Sequence, residues 1–153
     1  MDTMAPTRPT VLRSRHIPLT AAPAAAAEAR RQVHTTIRAW DVPVDAADAA
    51  LLASELVTNA IRHQRAGPIT VAVSCAHGAL RVDVHDRSSS EPVLVEATPD
   101  AETGRGLMLV ASLSTDWGCY RTPSGKAVYF TLAFSPRADG GGHRRRCDRG
   151  PGG

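Results

Sequence analysis

Two neighbouring segments of alternating polar and apolar residues constrain the fold of this chain more than any other feature. The first covers residues 69–75 and the second covers residues 80–86. Alternation with a period of two is typical of strands that bury one face. His77 and Gly78 lie between the two segments and suit a tight turn. The pattern therefore predicts an antiparallel β-hairpin, around which the other segments must be arranged.

The remaining segments predict helices and strands that come in blocks. Asp45 is placed to cap the longest helix, and Thr20 is placed to cap the helix before it. The predicted elements are a short strand at 16–19, helices at 24–40, 45–63 and 107–113, and strands at 69–75, 80–86, 117–121 and 127–134. Because helices and hairpins are segregated, we expect an α+β fold, a two-layer sandwich whose mostly antiparallel sheet carries its helices on one face.

Length and charge limit the class of protein. The chain has 153 residues, which is enough for one domain. Its net charge is +3, and the last eighteen residues account for all of it, with five arginines against two aspartates. The rest of the chain is close to neutral. We therefore expect no domain-wide basic surface and no specific binding to nucleic acid.

Both ends of the chain lack periodicity. Residues 1–15 are rich in Pro, Thr and Arg, and residues 135–153 are rich in Gly and Arg, so we expect disordered tails around one domain at 16–134. No apolar run approaches the roughly 20 residues that cross a bilayer. The first twenty residues also lack the apolar core of a secretory signal. A cytoplasmic protein without a membrane partner is the expectation.

The helix at 45–63 carries polar residues that share one face. Glu55, Asn59 and His63 are four residues apart, and side chains at this spacing are neighbours on a helix. Asn is a poor residue for a helix interior because its side chain competes for backbone hydrogen bonds, yet Asn59 is the only Asn of the chain. The group is either a functional site or a solvated polar stripe opposite the leucine face.

Two further segments add candidate residues. Asp86 ends the second strand of the hairpin, where it either accepts a hydrogen bond from an exocyclic amine or begins a turn. Gly104 and Gly106 come before the helix at 107–113, and glycines at a helix N-terminus suit a phosphate, although simple loop flexibility also explains them. The P-loop and dinucleotide-binding motifs are both absent.

The order and spacing of these segments resemble the GHKL ATPase superfamily, which has a Bergerat-type nucleotide-binding fold. The resemblance covers about residues 16–134. It rests on Glu-Leu-Val-Thr-Asn-Ala-Ile-Arg-His at 55–63, a hairpin ending in Asp86, a long loop, Gly-Arg-Gly-Leu at 104–107 and a hairpin turn at Gly125. The small size and the first motif are most similar to anti-sigma factor serine/threonine kinases of the RsbW and SpoIIAB type, and to small regulatory ATP-binding proteins of actinomycetes.

This resemblance implies roles for the candidate residues. Glu55 is implied to be the general base, Asn59 the ligand of Mg²⁺, and Asp86 the partner of the adenine amine. His63 matches a position that is often His in these small kinases, with either a structural or a site role. The implied phosphate-binding segment is Gly104, Arg105, Gly106 and Leu107. Within it, Arg105 either meets the triphosphate or points to solvent.

Two positions depart from the family pattern. The usual Asp-x-Gly-x-Gly is Asp-Arg-Ser-Ser-Ser at 86–90, in which Ser88, with Pro92, resembles an actinomycete variant that keeps adenine binding. The usual Gly-Thr of the last motif is Gly125-Lys126 here. Lys126 either reaches a phosphate or lies solvated at the hairpin turn, and the second interpretation is favoured.

The implied activity is transfer of the γ-phosphoryl group of ATP to a Ser or Thr of an antagonist protein with a STAS-type fold. ATP and Mg²⁺ are the implied cofactors, and ATP, ADP, the antagonist and a sigma factor are the implied partners, with a homodimer as the suggested assembly. The alternative is a nucleotide-gated binding module that sequesters a sigma factor or another regulator with little or no catalysis.

Overall fold

The computed structural model describes residues 12–64, 66–88 and 102–134 of the chain. The predicted tails and the loop after the first hairpin lie mostly outside these ranges. The elements, in chain order, are β1 (Arg13–Thr20), α1 (Ala25–Trp40), α2 (Ala46–His63), β2 (Pro68–Ala76), β3 (Ala79–Asp86), α3 (Glu102–Leu113), β4 (Asp116–Thr122) and β5 (Gly125–Ala133).

The five strands of the described chain form one sheet in the order β1-β2-β3-β5-β4. Every neighbouring pair is antiparallel. The helices pack on the sheet around a single hydrophobic core cluster, in which α1 contacts β1, and α2 contacts β3, β5 and both other helices. The predicted α+β fold with an antiparallel sheet is therefore confirmed.

Both predicted hairpins form, and their turns explain why. His77 and Gly78 have φ angles of 53° and 75°, so both residues of the β2–β3 turn are left-handed. Two left-handed residues give the turn whose twist matches that of the flanking strands. The β4–β5 turn also has two residues between paired strand ends, because Thr122 pairs with Gly125.

The entry to the domain differs from the prediction. β1 begins at Arg13, three residues before the predicted strand, and pairs with β2 over its whole length. Arg15 also donates hydrogen bonds to Thr36 and Gln32 of α1, at 2.6 and 2.7 Å. These partners are distant in sequence, so periodicity alone could not indicate them. The expectation that Thr20 caps α1 is wrong, because the residue before the helix is Ala24 and no side chain caps it.

The second helix, which carries the candidate site, forms as predicted. The Asp45 side chain accepts a hydrogen bond of 3.0 Å from the backbone N–H of Asp48, which caps the N-terminus. The apolar stripe of Leu52, Leu56 and Ala60 is buried, so α2 is held by its packing on the sheet. Among the described residues, none of the helices has the length and hydrophobicity of a membrane-spanning segment.

Candidate functional site

The second half of α2 places the predicted polar group at the edge of the buried surface. Asn59 is only 8% exposed, while Glu55 and His63 are half-buried. The interpretation of this group as a solvated stripe is therefore wrong for Asn59. Within the described ranges, the Asn59 side chain forms no hydrogen bond, and its amide is not fully enclosed. It is thus a buried polar group with capacity to bind a ligand.

Asp86, at the end of β3, is buried beside this part of α2. One carboxylate oxygen, Oδ1, accepts a hydrogen bond of 2.8 Å from the backbone N–H of Ser88. This is the turn that an Asp at such a position favours. The residue is nevertheless only 4% exposed, so its charge lies within the protein and needs compensation.

The compensation comes from Lys126, which lies opposite Asp86 in the β3–β5 register. The side chains of both residues are 1% exposed, and the Lys126 ammonium is 3.5 Å from Oδ2 of Asp86. The expectation that Lys126 lies solvated at the hairpin turn is wrong. Its side chain points to the helix-facing side of the sheet, where its Nζ also donates a hydrogen bond of 2.5 Å to Nδ1 of His63.

Burial and neighbouring charges shift the pKa values of Lys126 and His63. Burial lowers the pKa of Lys126, and the Asp86 carboxylate partly offsets this. Burial also lowers the pKa of His63, the Lys126 cation lowers it further, and Asp86 opposes both effects. The lowered pKa favours the neutral imidazole of His63, whose Nδ1 then accepts a hydrogen bond from the Lys126 ammonium. His63 of α2, Asp86 of β3 and Lys126 of β5 thus form one polar cluster, which we call the helix-facing cluster.

Gly125 belongs to this cluster through its backbone. A Cβ atom at Gly125 would lie 2.0 Å from the carbonyl oxygen of Asp86 and 2.7 Å from Cα of Arg87. No real side chain tolerates such contacts with backbone, so the close approach of β5 to the end of β3 requires glycine. This requirement gives a physical reason for the glycine of the last predicted motif.

The glycines of the third predicted segment lie elsewhere than expected. α3 begins at Glu102, so Gly104 and Gly106 are inside the helix rather than before it. Gly104 is the third helical residue, and its N–H is still among the free donors of the N-terminus. The N–H of Gly106 lies beyond this group. The side chains of Arg105 and Leu107 are outside the described part of the chain, so their predicted roles are not tested.

Gln64 is a connecting residue that the sequence prediction did not single out. It follows α2 directly, and its Nε2 donates to the Pro68 carbonyl at 2.8 Å. Its Oε1 accepts a hydrogen bond of 2.5 Å from the backbone N–H of Arg87. Gln64 thereby ties the end of α2 to the start of β2 and the end of β3. The signal that could have found it is its rarity, because the chain contains two Gln residues.

A second polar cluster, on the other face of the sheet, was also missed. Arg81 donates two hydrogen bonds of 2.9 Å to the Asp83 carboxylate, and Tyr120 donates a third of 2.7 Å. The Arg81 guanidinium lies 4.1 Å from the centre of the Tyr129 ring. These residues occupy the outer positions of β3, β4 and β5, where alternation alone predicts simple solvent exposure.

The described residues around Asn59 offer too few ligands to hold a metal ion by themselves. Among residues 12–64, 66–88 and 102–134, no group of three or more His, Cys, Asp and Glu side chains can hold a metal ion. Mg²⁺ usually takes only one or two protein ligands and completes its shell with phosphate oxygens and water. The Asn59 amide, which has no partner among the described residues, suits coordination of this kind, in which phosphate and water supply the other oxygens.

The antiparallel sheet, the helices on it and the polar cluster at the end of β3 define an α+β domain of the GHKL type. The family model of the histidine kinase-like ATPase domain matches residues 19–132, about three quarters of the chain. The chain belongs to this family. No curated protein matches the chain in sequence. Family membership confirms the predicted superfamily and supports the binding of ATP, whereas the finer likeness to the RsbW and SpoIIAB type stays a prediction.

Proposed function

We propose that this protein is an ATP-binding regulatory kinase of the anti-sigma factor type. It would transfer the γ-phosphoryl group of ATP to a Ser or Thr of a STAS-type antagonist protein. The observation that carries the proposal is Asn59, a buried amide that has no partner among the described residues. It lies one helical turn after Glu55, on the helix that contacts β3 and β5. In a chain of the histidine kinase-like ATPase family, this is a reasonable place for a nucleotide phosphate with its metal.

The proposed binding roles divide between two ends of the nucleotide. Asp86 accepts a hydrogen bond from the adenine amine, and the backbone turn to Ser88 holds the carboxylate in place. The start of α3, with the free N–H of Gly104, faces the phosphates. The segment Gly104, Arg105, Gly106 and Leu107 keeps its predicted role at the phosphates in this proposal.

Asn59 is the proposed protein ligand of Mg²⁺. When bound, the metal neutralises phosphate charge and orients the triphosphate, which accounts for most of catalysis in phosphoryl transfer. Asn59 would offer its side-chain oxygen to the ion from α2, whose apolar face is buried.

Glu55 is the proposed general base. The hydroxyl oxygen of the target Ser or Thr forms a bond to the γ-phosphorus, while the bond from that phosphorus to the β,γ-bridging oxygen breaks and ADP leaves. The hydroxyl proton passes to the Glu55 carboxylate, directly or through one water. Glu55 is half-buried, so it remains reachable for a partner that brings its hydroxyl to the site.

One observation favours a second function, a nucleotide-gated binding module without turnover. Asp86 already has a cation at 3.5 Å, and the segment after it carries Ser88 where the family pattern has glycine. A site whose charge is compensated without a ligand, and whose next residues have less backbone freedom than glycine gives, suits slow exchange more than rapid turnover. Such a module would sequester a sigma factor or another regulator, and in either function we propose a homodimer as the assembly.

Titration with Mg-ATP followed by transfer of labelled phosphate to STAS-type proteins tests both functions. We expect the wild type to bind Mg-ATP and Asn59→Ala to bind at least about tenfold more weakly. Thr58→Ala is the matched control, since its hydroxyl bonds only within α2, to the Ser54 carbonyl. Glu55→Gln separates the two functions: it abolishes transfer in a kinase and changes nothing in a binding module. If the wild type binds no nucleotide, both functions are excluded.

A further inference from the structure

Lys126 puts a buried hydrogen-bond donor directly beside the carboxylate that is proposed to contact the base. An ammonium group carries three N–H donors. One goes to Nδ1 of His63 and another faces Oδ2 of Asp86. The third has no partner within the described residues. The cluster therefore has an unused donor next to an acceptor.

The carboxylate of Asp86 also has capacity left. A carboxylate offers about four lone-pair positions, and the described residues use one for the N–H of Ser88 and one for the distant Lys126 ammonium. The Lys126 contact at 3.5 Å is longer than an ordinary charge-assisted hydrogen bond. Both groups therefore have hydrogen-bonding capacity left that a single ligand edge could use.

Purine bases differ in how they match such a pair. Adenine presents its amine as a donor beside N1 as an acceptor. Guanine and hypoxanthine present the 6-oxo oxygen as an acceptor beside N1–H as a donor. A carboxylate alone repels a 6-oxo oxygen, because both groups are hydrogen-bond acceptors. Neither oxygen can donate a proton to the other, so both would be buried without a hydrogen bond. A carboxylate with an adjacent ammonium satisfies either edge.

We propose that Lys126 is a base-selectivity residue of the nucleotide site, and that it allows 6-oxopurine nucleotides such as GTP to bind alongside ATP. With guanine, Lys126 donates to the 6-oxo oxygen while Asp86 accepts from N1–H. With adenine, Asp86 accepts from the amine while Lys126 donates to N1. This inference rests on the proposed nucleotide binding, since it concerns the base end of the same site.

The position of Lys126 is fixed well enough for such a role. Its backbone is held opposite Asp86 by the β3–β5 register, and Gly125 brings the two strands into close contact. His63 fixes the ammonium from the side of α2. A flexible surface lysine could not discriminate between base edges, whereas a donor fixed by three elements can.

The test is titration of Mg-ATP, Mg-GTP and Mg-ITP into the wild type and Lys126→Thr. We expect the wild type to bind all three within about tenfold of one another. In Lys126→Thr, the affinities for GTP and ITP should fall about tenfold to a hundredfold relative to ATP, the discrimination typical of a well-placed pair of base contacts. Thr131→Ala, on the outer face of the same strand, should leave all three ratios unchanged. Lys126→Gln, which keeps a neutral donor, serves if the threonine variant does not fold.

The outcomes separate this inference from the proposed function. If the wild type binds ATP but rejects GTP and ITP by more than about a hundredfold, the inference is wrong and the function stands. If the Lys126 variants weaken all three nucleotides equally, Lys126 is a structural residue and the inference is also wrong. If the wild type binds no nucleotide, the proposed function fails, and the inference fails with it. ITP, which lacks the amine of guanine, shows whether the 6-oxo oxygen itself is read.

Discussion

β3 carries two buried aspartates three residues apart, on opposite faces of the sheet, and their surroundings differ in one respect. Asp83 accepts three short hydrogen bonds from Arg81 and Tyr120. Asp86 accepts one short hydrogen bond from backbone, and its cation is at 3.5 Å. A carboxylate that the protein saturates stabilises the fold, whereas one that the protein only neutralises is available to a ligand. Partner saturation therefore separates the structural aspartate from the candidate binding aspartate better than burial does.

The type of cation follows the same division. The planar guanidinium of Arg81 matches the Asp83 carboxylate with two parallel hydrogen bonds and lies over the Tyr129 ring, which suits a permanent contact. The compact ammonium group of Lys126 contacts both the Asp86 carboxylate and the His63 ring. The contacts of Arg81 on the outer face thus have a fixed geometry, whereas the contacts of Lys126 in the helix-facing cluster can adapt to a ligand.

The largest expected effect comes from the glycine at the helix-facing cluster. In Gly125→Ala the new methyl group would meet backbone atoms of Asp86 and Arg87, so we expect the free energy of unfolding to fall by about 3 kcal/mol. In Gly118→Ala, on the outer face, the nearest atoms to the new methyl group belong to the Tyr129 side chain, at 3.1 Å, and we expect a loss of about 1 kcal/mol. Urea denaturation measures both, and equal losses would contradict the close approach of β5 to β3.

The next effect concerns the saturated carboxylate. Asp83→Asn replaces one carboxylate oxygen by an amide NH₂ group, which can only donate. That group would face donors from Arg81 or Tyr120. Leaving such groups without a partner costs about 2 kcal/mol of unfolding free energy. Ser74→Ala, opposite Arg81 on β2, is the control and should stay within about 0.5 kcal/mol of the wild type. If Asp83→Asn left the free energy of unfolding unchanged, the cluster of Arg81, Asp83 and Tyr120 would contribute no stability.

Tyr120 gives a smaller effect with a defined pH window. Burial, and then the hydrogen bond to Asp83, raises the pKa of Tyr120 to about 12, from 10.0. The folded protein therefore keeps the phenol proton longer than the unfolded chain, and this contribution to stability is full below pH 10 and is lost as the pH rises toward 12. Tyr120→Phe should lower the free energy of unfolding by about 1 kcal/mol at neutral pH. It should also reduce the fall of that free energy as the pH rises above 10. Unchanged alkaline unfolding in this variant would contradict the hydrogen bond.

The smallest expected effect is the acid response of His63. Its pKa is lowered from 6.5, because of burial and the nearby Lys126 cation. The unfolded chain thus binds a proton that the folded protein resists, so stability falls as the pH drops below about 6.5, until the lower folded-state pKa is reached. His63→Asn keeps an acceptor for Lys126 and cannot titrate, so thermal unfolding between pH 5 and 7 should show a shallower slope. An identical slope would exclude His63 as its source.

The sequence predicted what depends on local pattern. Alternation over 69–75 and 80–86, with a turn at His77 and Gly78, is sufficient for the first hairpin, and the Asp45 cap is sufficient for the start of α2. The resemblance to the GHKL superfamily, based mainly on the motif at 55–63, was confirmed by the family match at 19–132, whereas the RsbW and SpoIIAB type stays a prediction. These features rest on contacts between residues close in the chain, or on spacing that the helix and strand periods fix.

The sequence failed where partners are far apart along the chain. The burial of Lys126 depends on Asp86 and His63, which are forty and sixty-three residues away, so a turn position suggested solvent instead. The start of α3 at Glu102 was missed because two glycines, at 104 and 106, favour the end of a loop over a helix interior. The third hydrogen bond to Asp83 comes from Tyr120 of β4. This contact depends on the strand order, in which β5 lies between β3 and β4.

The most direct test of the central claim, that the helix-facing end of β3 carries the nucleotide site, is calorimetric titration of Mg-ATP into the wild type, Asp86→Asn and Asp83→Asn. We predict saturable binding to the wild type, at least about tenfold weaker binding to Asp86→Asn, and wild-type affinity in Asp83→Asn at a temperature where it is folded. Equal affinity in all three proteins, or loss of binding in Asp83→Asn alone, would contradict the assignment of the site to Asp86.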